Sequence, residues 1–193
     1  ASIVHFHARN DDGSPCHEPA VYAECVRRIR AKTDILIDST LGVEKIKKDE
    51  DRLAHIRLMG RNAETCPDFA AVDTGSTNLD AYDRAGKRFE TEDRIYVNST
   101  ATCLFLARGM SNSGVKPHFS VWSVPFLRML DALLDMGAVK EPAYVQCVLA
   151  EGGVIGAHPA TSRGLEALID FMPRDREIEW TVACKKSKDR KST

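Results

Sequence analysis

The sequence has no basic excess, no long apolar run, no CxxC pair and no glycine-rich phosphate motif. Each absence removes a class. Lys and Arg total 27 against 28 Asp and Glu, a net charge of -1, whereas a nucleic-acid-binding domain is expected to be strongly basic. No stretch reaches the ~18–20 apolar residues of a membrane span. The first residues, Ala1-Ser2-Ile3-Val4, carry neither a basic n-region nor a long apolar core, so no signal peptide is expected. Cys16, Cys25, Cys66, Cys103, Cys147 and Cys184 are scattered. They read as reduced thiols of a cytoplasmic protein, most of them acting as small core hydrophobes. Neither GxGxxG nor GxxxxGK[ST] occurs, so the common dinucleotide and P-loop sites are not expected. GxSxG, the nucleophile elbow, is missing too.

What remains is a 193-residue chain, 43% hydrophobic and 28% charged. That suits one soluble globular domain with a sizeable core. Ser2 to Arg9 alternates with period two and reads as a strand. Asp11-Asp12-Gly13-Ser14-Pro15 is a turn cluster. Pro19 opens a helix with Val21, Tyr22, Cys25, Val26 and Ile29 at helical spacing and arginines near its end. Short apolar strands are expected at Ile35–Ile37, Phe69–Val72, Phe119–Trp122, Ala143–Leu149 and Ile178–Ala183. Helical segments separate them: Lys45 to Arg61, Asn98 or Ser99 to Met110, Pro125 to Leu134, and Pro159 to Phe171. Asn78 to Asp93 is polar and irregular.

This alternation implies parallel strands with helical crossovers, as an open doubly wound sheet or a (β/α)8 barrel. Polar residues at the strand ends favour the barrel, which keeps its chemistry there: His7, Ser39, Thr40, Asp73, Thr74, Ser120 and Glu151. A complete barrel takes ~250 residues, so this chain is short by roughly two βα units. Residues 1–184 form the expected barrel domain, and 185–193 a solvated basic tail.

His5 and His7 lie two apart on the first strand, so both imidazoles face one side. Two such histidines either hold a metal or sit hydrogen-bonded in the core. Ser39-Thr40-Leu41-Gly42 and Thr74-Gly75-Ser76 are hydroxyl-plus-glycine turns after buried strands. They can aim backbone N–H groups at a carboxylate or oxyanion, or simply end the strand. His118 opens a strand and is read equally as a site or a structural residue; His17, His55 and His158 read as surface residues.

Val4-His5-Phe6-His7-Ala8-Arg9-Asn10, followed by Gly13-Ser14-Pro15, resembles the H-[IV]-H-x-R-[DN] strand and G-x-P loop of the β-keto acid cleavage enzymes. Asp38-Ser39-Thr40-Leu41-Gly42, Asp51-Arg52-Leu53, Cys66 to Ser76, Gly114-Val115-Lys116-Pro117 and Trp180-Thr181-Val182-Ala183 resemble later family motifs in the same order. The resemblance covers strands two to seven of that family's zinc-dependent (β/α)8 TIM-type barrel, leaving out the first and last strands. It implies a homotetrameric transferase that takes a β-keto acid and acetyl-CoA to acetoacetate and a new CoA ester. His5 and His7 would then be zinc ligands. Ser39, Thr40, Gly42, Thr74 and His118 would line the substrate site.

There are departures. Leu41 replaces a glycine of the family's G-G pair, and His118 and Ser120 stand where the family reads P-E-x-E. That second change points away from an amino-bearing substrate. The family's third zinc ligand, a Glu, and its catalytic Asp fall on a last strand that the match does not reach. Little cleavage is therefore expected from the chain as given, below the ~1 s⁻¹ of an ordinary enzyme. Two other readings stand beside this one: a metallohydrolase of amidohydrolase type, which also uses HxH, and an inactive metal-binding homologue.

Overall fold

The computed structural model describes residues 2–42, 46 and 48–185. The expected tail beyond Lys185, and Lys45 and Lys47 of the second helical stretch, lie outside the described residues. In chain order the elements are β1 (Ile3–Phe6), α1 (Pro19–Arg30), β2 (Leu36–Ser39), α2 (Asp49–Met59), β3 (Phe69–Asp73), β4 (Thr77–Asn78), β5 (Tyr82–Asp83) and β6 (Arg88–Phe89). They continue with β7 (Ile95–Tyr96), α3 (Thr100–Asn112), β8 (Lys116–Val121), α4 (Val124–Asp135), β9 (Ala143–Ala150), β10 (His158–Pro159), α5 (Ser162–Asp170) and β11 (Ile178–Lys185). The expected βα alternation is present. Among the described residues no helix is long and apolar enough to cross a membrane.

The chain divides into two compact units, Ala1–Val72 with Ala101–His118, and Asp73–Thr100 with Phe119–Thr193. In the first, β1 pairs parallel with β2, setting His5 opposite Asp38 and Phe6 opposite Ser39. β2 pairs parallel with β3. β3 neighbours β8, whose Lys116 N–H donates to Asp68 O at 3.1 Å. β1 stops at Phe6 rather than Arg9 because the chain doubles back: Cys16 N–H donates to Ala8 O, and Arg9 bridges Pro15.

Helix α1 begins with Pro19, whose missing N–H is no loss in a first turn, and ends with Arg27, Arg28 and Arg30 against the dipole. It buries Tyr22, Ala23 and Val26. Helix α2 opens with Asp49, Glu50 and Asp51, the favourable charge for that end, and buries Leu53, Ile56 and Met59. Each such side chain contributes roughly 1.5–3 kcal/mol on leaving water. Helix α3 passes close to α2: a Cβ on Gly109 would lie 2.3 Å from Leu53 Cδ1.

In the second unit the end of β8 runs beside β9. β11 pairs parallel with β9 along its whole length, Ile178 opposite Ala143 through Lys185 opposite Ala150, and β10 pairs parallel with the end of β9. Helix α4 buries Phe126, Leu127, Leu130, Leu133 and Leu134, the apolar stripe expected from the sequence. Thr161 caps α5, its hydroxyl accepting from Gly164 N–H at 3.1 Å. The segment read as irregular holds two short antiparallel pairs, β4 with β7 and β5 with β6. Strands of two residues are too short to show alternation in a sequence.

Candidate active site

The parallel register that sets His5 against Asp38 builds the site in the first unit. His5 Nδ1 donates to Asp38 Oδ2 at 2.9 Å, and His118 Nδ1 reaches the same oxygen at 2.8 Å. Asp38 and His118 side chains are both about 3% exposed, while the His5 side chain is 43% exposed. Burial pulls the Asp38 carboxyl upward, but the hydrogen bonds from His118 and His5 outweigh it, and the group titrates below its ordinary value. Asp38 Oδ1 is buried with no hydrogen bond among the described residues.

With Nδ1–H committed to Asp38, the His5 Nε2 lone pair points outward. It meets His7 Nε2 at 3.3 Å, the rings lying edge to face at 5.1 Å between centroids. Same-face spacing therefore brings the two imidazole nitrogens together. Two nitrogens bound to one tetrahedral zinc at ~2.0–2.1 Å each would stand ~3.3 Å apart. The pair could hold such an ion, with Asp38 orienting one ligand as carboxylates do behind metal-bound histidines. Among the described residues no group of three His, Cys, Asp or Glu forms a metal cluster.

The other expected residues fall as follows. Ser39 is fully buried, and among the described residues its hydroxyl makes a long 3.5 Å contact to Thr40 O. Thr40 Oγ1 accepts from Gly42 N–H at 3.2 Å, closing the turn after β2. Gly42 has φ +61°, a conformation other residues adopt only at a cost. In the second unit, Thr74 Oγ1 donates to Phe126 O at 2.9 Å, tying the end of β3 to α4.

Asp38, His55 and His17 emerge here with roles that sequence reasoning missed. Asp38 could have been suspected as a charge ending the apolar run Ile35–Ile37. His55, expected on the surface, is 3% exposed. Its Nε2 donates to Thr40 O at 2.9 Å, and the Tyr22 ring lies 4.4 Å away. Burial pushes its pKa down to about 4, the Thr40 carbonyl opposing and nearby His17 assisting. His17, also expected at the surface, has both ring nitrogens buried.

A solved structure, the apo form of ObcA, superposes with a TM-score of 0.58 at 13% identity, over 77% of this chain and 32% of that one. The likeness concerns the fold: an α/β chain of partial (β/α)-barrel type. The 3,5-dioxohexanoate:acetyl-CoA acetone transferase of Paraburkholderia graminis is 31% identical over 172 residues, 82% of this chain and 54% of that protein. The 3-keto-5-aminohexanoate cleavage enzyme of Acetoanaerobium sticklandii is 29% identical over 184 residues, 95% of this chain and 59% of that protein. The chain thus spans a little over half the length of these curated relatives. A family model, beta-keto acid cleavage enzyme, matches residues 1–191. The HxH strand, the Asp-Ser-Thr turn behind it and a match along nearly all of its residues make this chain a member of the β-keto acid cleavage enzyme family.

Proposed function

We propose that the chain serves metal-assisted transfer between a β-keto acid and acetyl-CoA. In this reaction the bond between the keto carbon and the methylene that carries the carboxylate breaks. The acyl part leaves as a CoA ester, and the two-carbon carboxylate fragment joins the acetyl group as acetoacetate. The observation that carries the reading is the 3.3 Å approach of His5 Nε2 to His7 Nε2, with Asp38 behind His5. A divalent cation on those nitrogens, zinc if the family resemblance holds for the metal, would supply a Lewis acid for the keto oxygen.

The chain's own groups do the rest. Asp38 fixes the ring plane and tautomer of His5. The Thr40–Gly42 turn would lie beside the substrate carboxylate, and Ser39 and His118 would complete the binding surface in the first unit. The His5 side chain is half-exposed, so an arriving ligand can approach the histidine pair from solvent.

The test has two parts. Dialysed protein analysed for metal is expected to hold about one zinc per chain, falling at least tenfold in His5→Ala and in His7→Ala. Zinc-loaded protein is expected to bind a β-keto acid by calorimetry, and the His5→Ala variant is expected not to. Full zinc content in both variants, or no binding to zinc-loaded protein by any β-keto acid of a broad panel, would overturn the proposal.

A further inference from the structure

His17 is the least explained polar side chain of the first unit. Its Nδ1 and Nε2 are both buried and neither has a hydrogen-bond partner among the described residues. Leaving a buried donor or acceptor unmade costs about 1–3 kcal/mol, and such groups in native folds call for a reason. The ring is not adrift. Cys16 N–H is anchored on Ala8 O at 3.0 Å, which fixes the chain one residue before it.

The ring lies against the turn after β2. A Cβ built on Gly42 would stand 3.0 Å from His17 Cε1 and 3.1 Å from His17 Nδ1. Gly42 is therefore favoured by its positive φ, and a side chain there would crowd the His17 ring. The other groups at the turn already have partners. Gly42 N–H is on Thr40 Oγ1, and His55 Nε2 is on Thr40 O. Asp38, the nearby carboxylate two residues upstream, is engaged by His5 and His118. What this turn has to spare is an imidazole that can donate, with an acceptor missing.

We propose that His17 is a recognition residue for the carboxylate of the β-keto acid at the Thr40–Gly42 turn, donating a ring N–H to a carboxylate oxygen. This rests on the functional reading above and deepens it. A β-keto acid satisfies the ring; a neutral β-dicarbonyl compound leaves it unpaired. A site built to hydrogen-bond a substrate group rejects the analogue that lacks it much more strongly than an apolar pocket can.

The experiment compares acetoacetate with methyl acetoacetate on zinc-loaded protein. Binding is measured by calorimetry for the unmodified chain, His17→Leu and His17→Gln. Acetoacetate is expected to bind at least tenfold more weakly to His17→Leu, with His17→Gln in between. The ester's affinity should change less than twofold. As a measurement free of any folding defect, the His17 ring proton and nitrogen resonances of the unmodified chain should shift on adding acetoacetate and stay put with the ester. If acetoacetate binds the unmodified chain without moving those resonances, or binds His17→Leu equally well, this inference falls while the functional reading stands. If the unmodified chain binds no β-keto acid at all, the functional reading falls and takes this one with it.

Discussion

His118 Nδ1 lies 2.8 Å from Asp38 Oδ2 although the two residues stand eighty positions apart, and both side chains are about 3% exposed. His5 takes the same oxygen. The Asp38→Asn substitution keeps the shape and removes the charge-assisted acceptor for both rings. Unfolding free energy by urea titration is expected to drop by roughly 1–3 kcal/mol. Zinc affinity, read by chelator competition, is expected to drop roughly 10–100-fold, as when a metal-bound histidine loses its carboxylate. Unchanged zinc affinity in Asp38→Asn would show that Asp38 serves packing alone.

His55 makes stability depend on pH in a defined window. Its folded pKa, about 4, lies below the ordinary histidine value of 6.5. Between those values the unfolded chain binds a proton that the folded chain does not, so stability rises with pH there. The contribution is complete above about pH 6.5 and declines as pH falls toward 4, by on the order of 3 kcal/mol. Tyr22, His17 and the Thr40 carbonyl face the ring. Urea unfolding at several pH values, on the parent and on His55→Gln, checks this. A variant with the same slope between pH 4 and 6.5 would remove His55 from the account.

Thr74 tests whether a hydroxyl at a strand end serves structure or substrate. Its Oγ1 donates to Phe126 O. Thr74→Val removes this bond, leaving the Phe126 carbonyl with its helical partner, and is expected to cost about 0.5–1.5 kcal/mol. Thr74→Ser keeps the donor and should restore most of it. If Val also weakens acetoacetate binding and Ser restores it, the hydroxyl serves both.

Gly164 has a steric rather than conformational reason. A Cβ there would sit 2.1 Å from the Pro159 carbonyl oxygen. Because that neighbour is backbone, Gly164→Ala must shift the start of α5. A loss of about 1–3 kcal/mol, typical of overpacking, is expected despite the better helix propensity of Ala. Thermal unfolding measures it; a midpoint at or above the parent's would contradict the close approach.

The fold was largely legible because βα alternation is written in short apolar runs and in helices opened by proline, as at Pro19 and Pro125. The HxH pair was legible for the same reason: period two puts His5 and His7 on one face. The partnership of Asp38 with His118 was not, since it depends on which strands come to lie side by side. His55 was misread because α2 looks polar throughout; its inward face is defined by Tyr22 and the Thr40 carbonyl, which belong to other elements. His17 was misread because a loop residue shows no period at all.

The eight-residue ladder between β9 and β11 has a consequence for the rhythm of solvent exchange. β9 has neighbours on both sides, β8 and β11, so its amides are held along most of their length. Among the described residues β11 pairs with β9 only, and in a parallel ladder just every second residue of an edge strand turns its N–H to that neighbour. Deuterium uptake should therefore beat in twos along Ile178–Lys185, slow and fast amides alternating, while Ala143–Ala150 stays uniformly slow. Half the amides of this strand would then report water at its open flank while the other half stay silent.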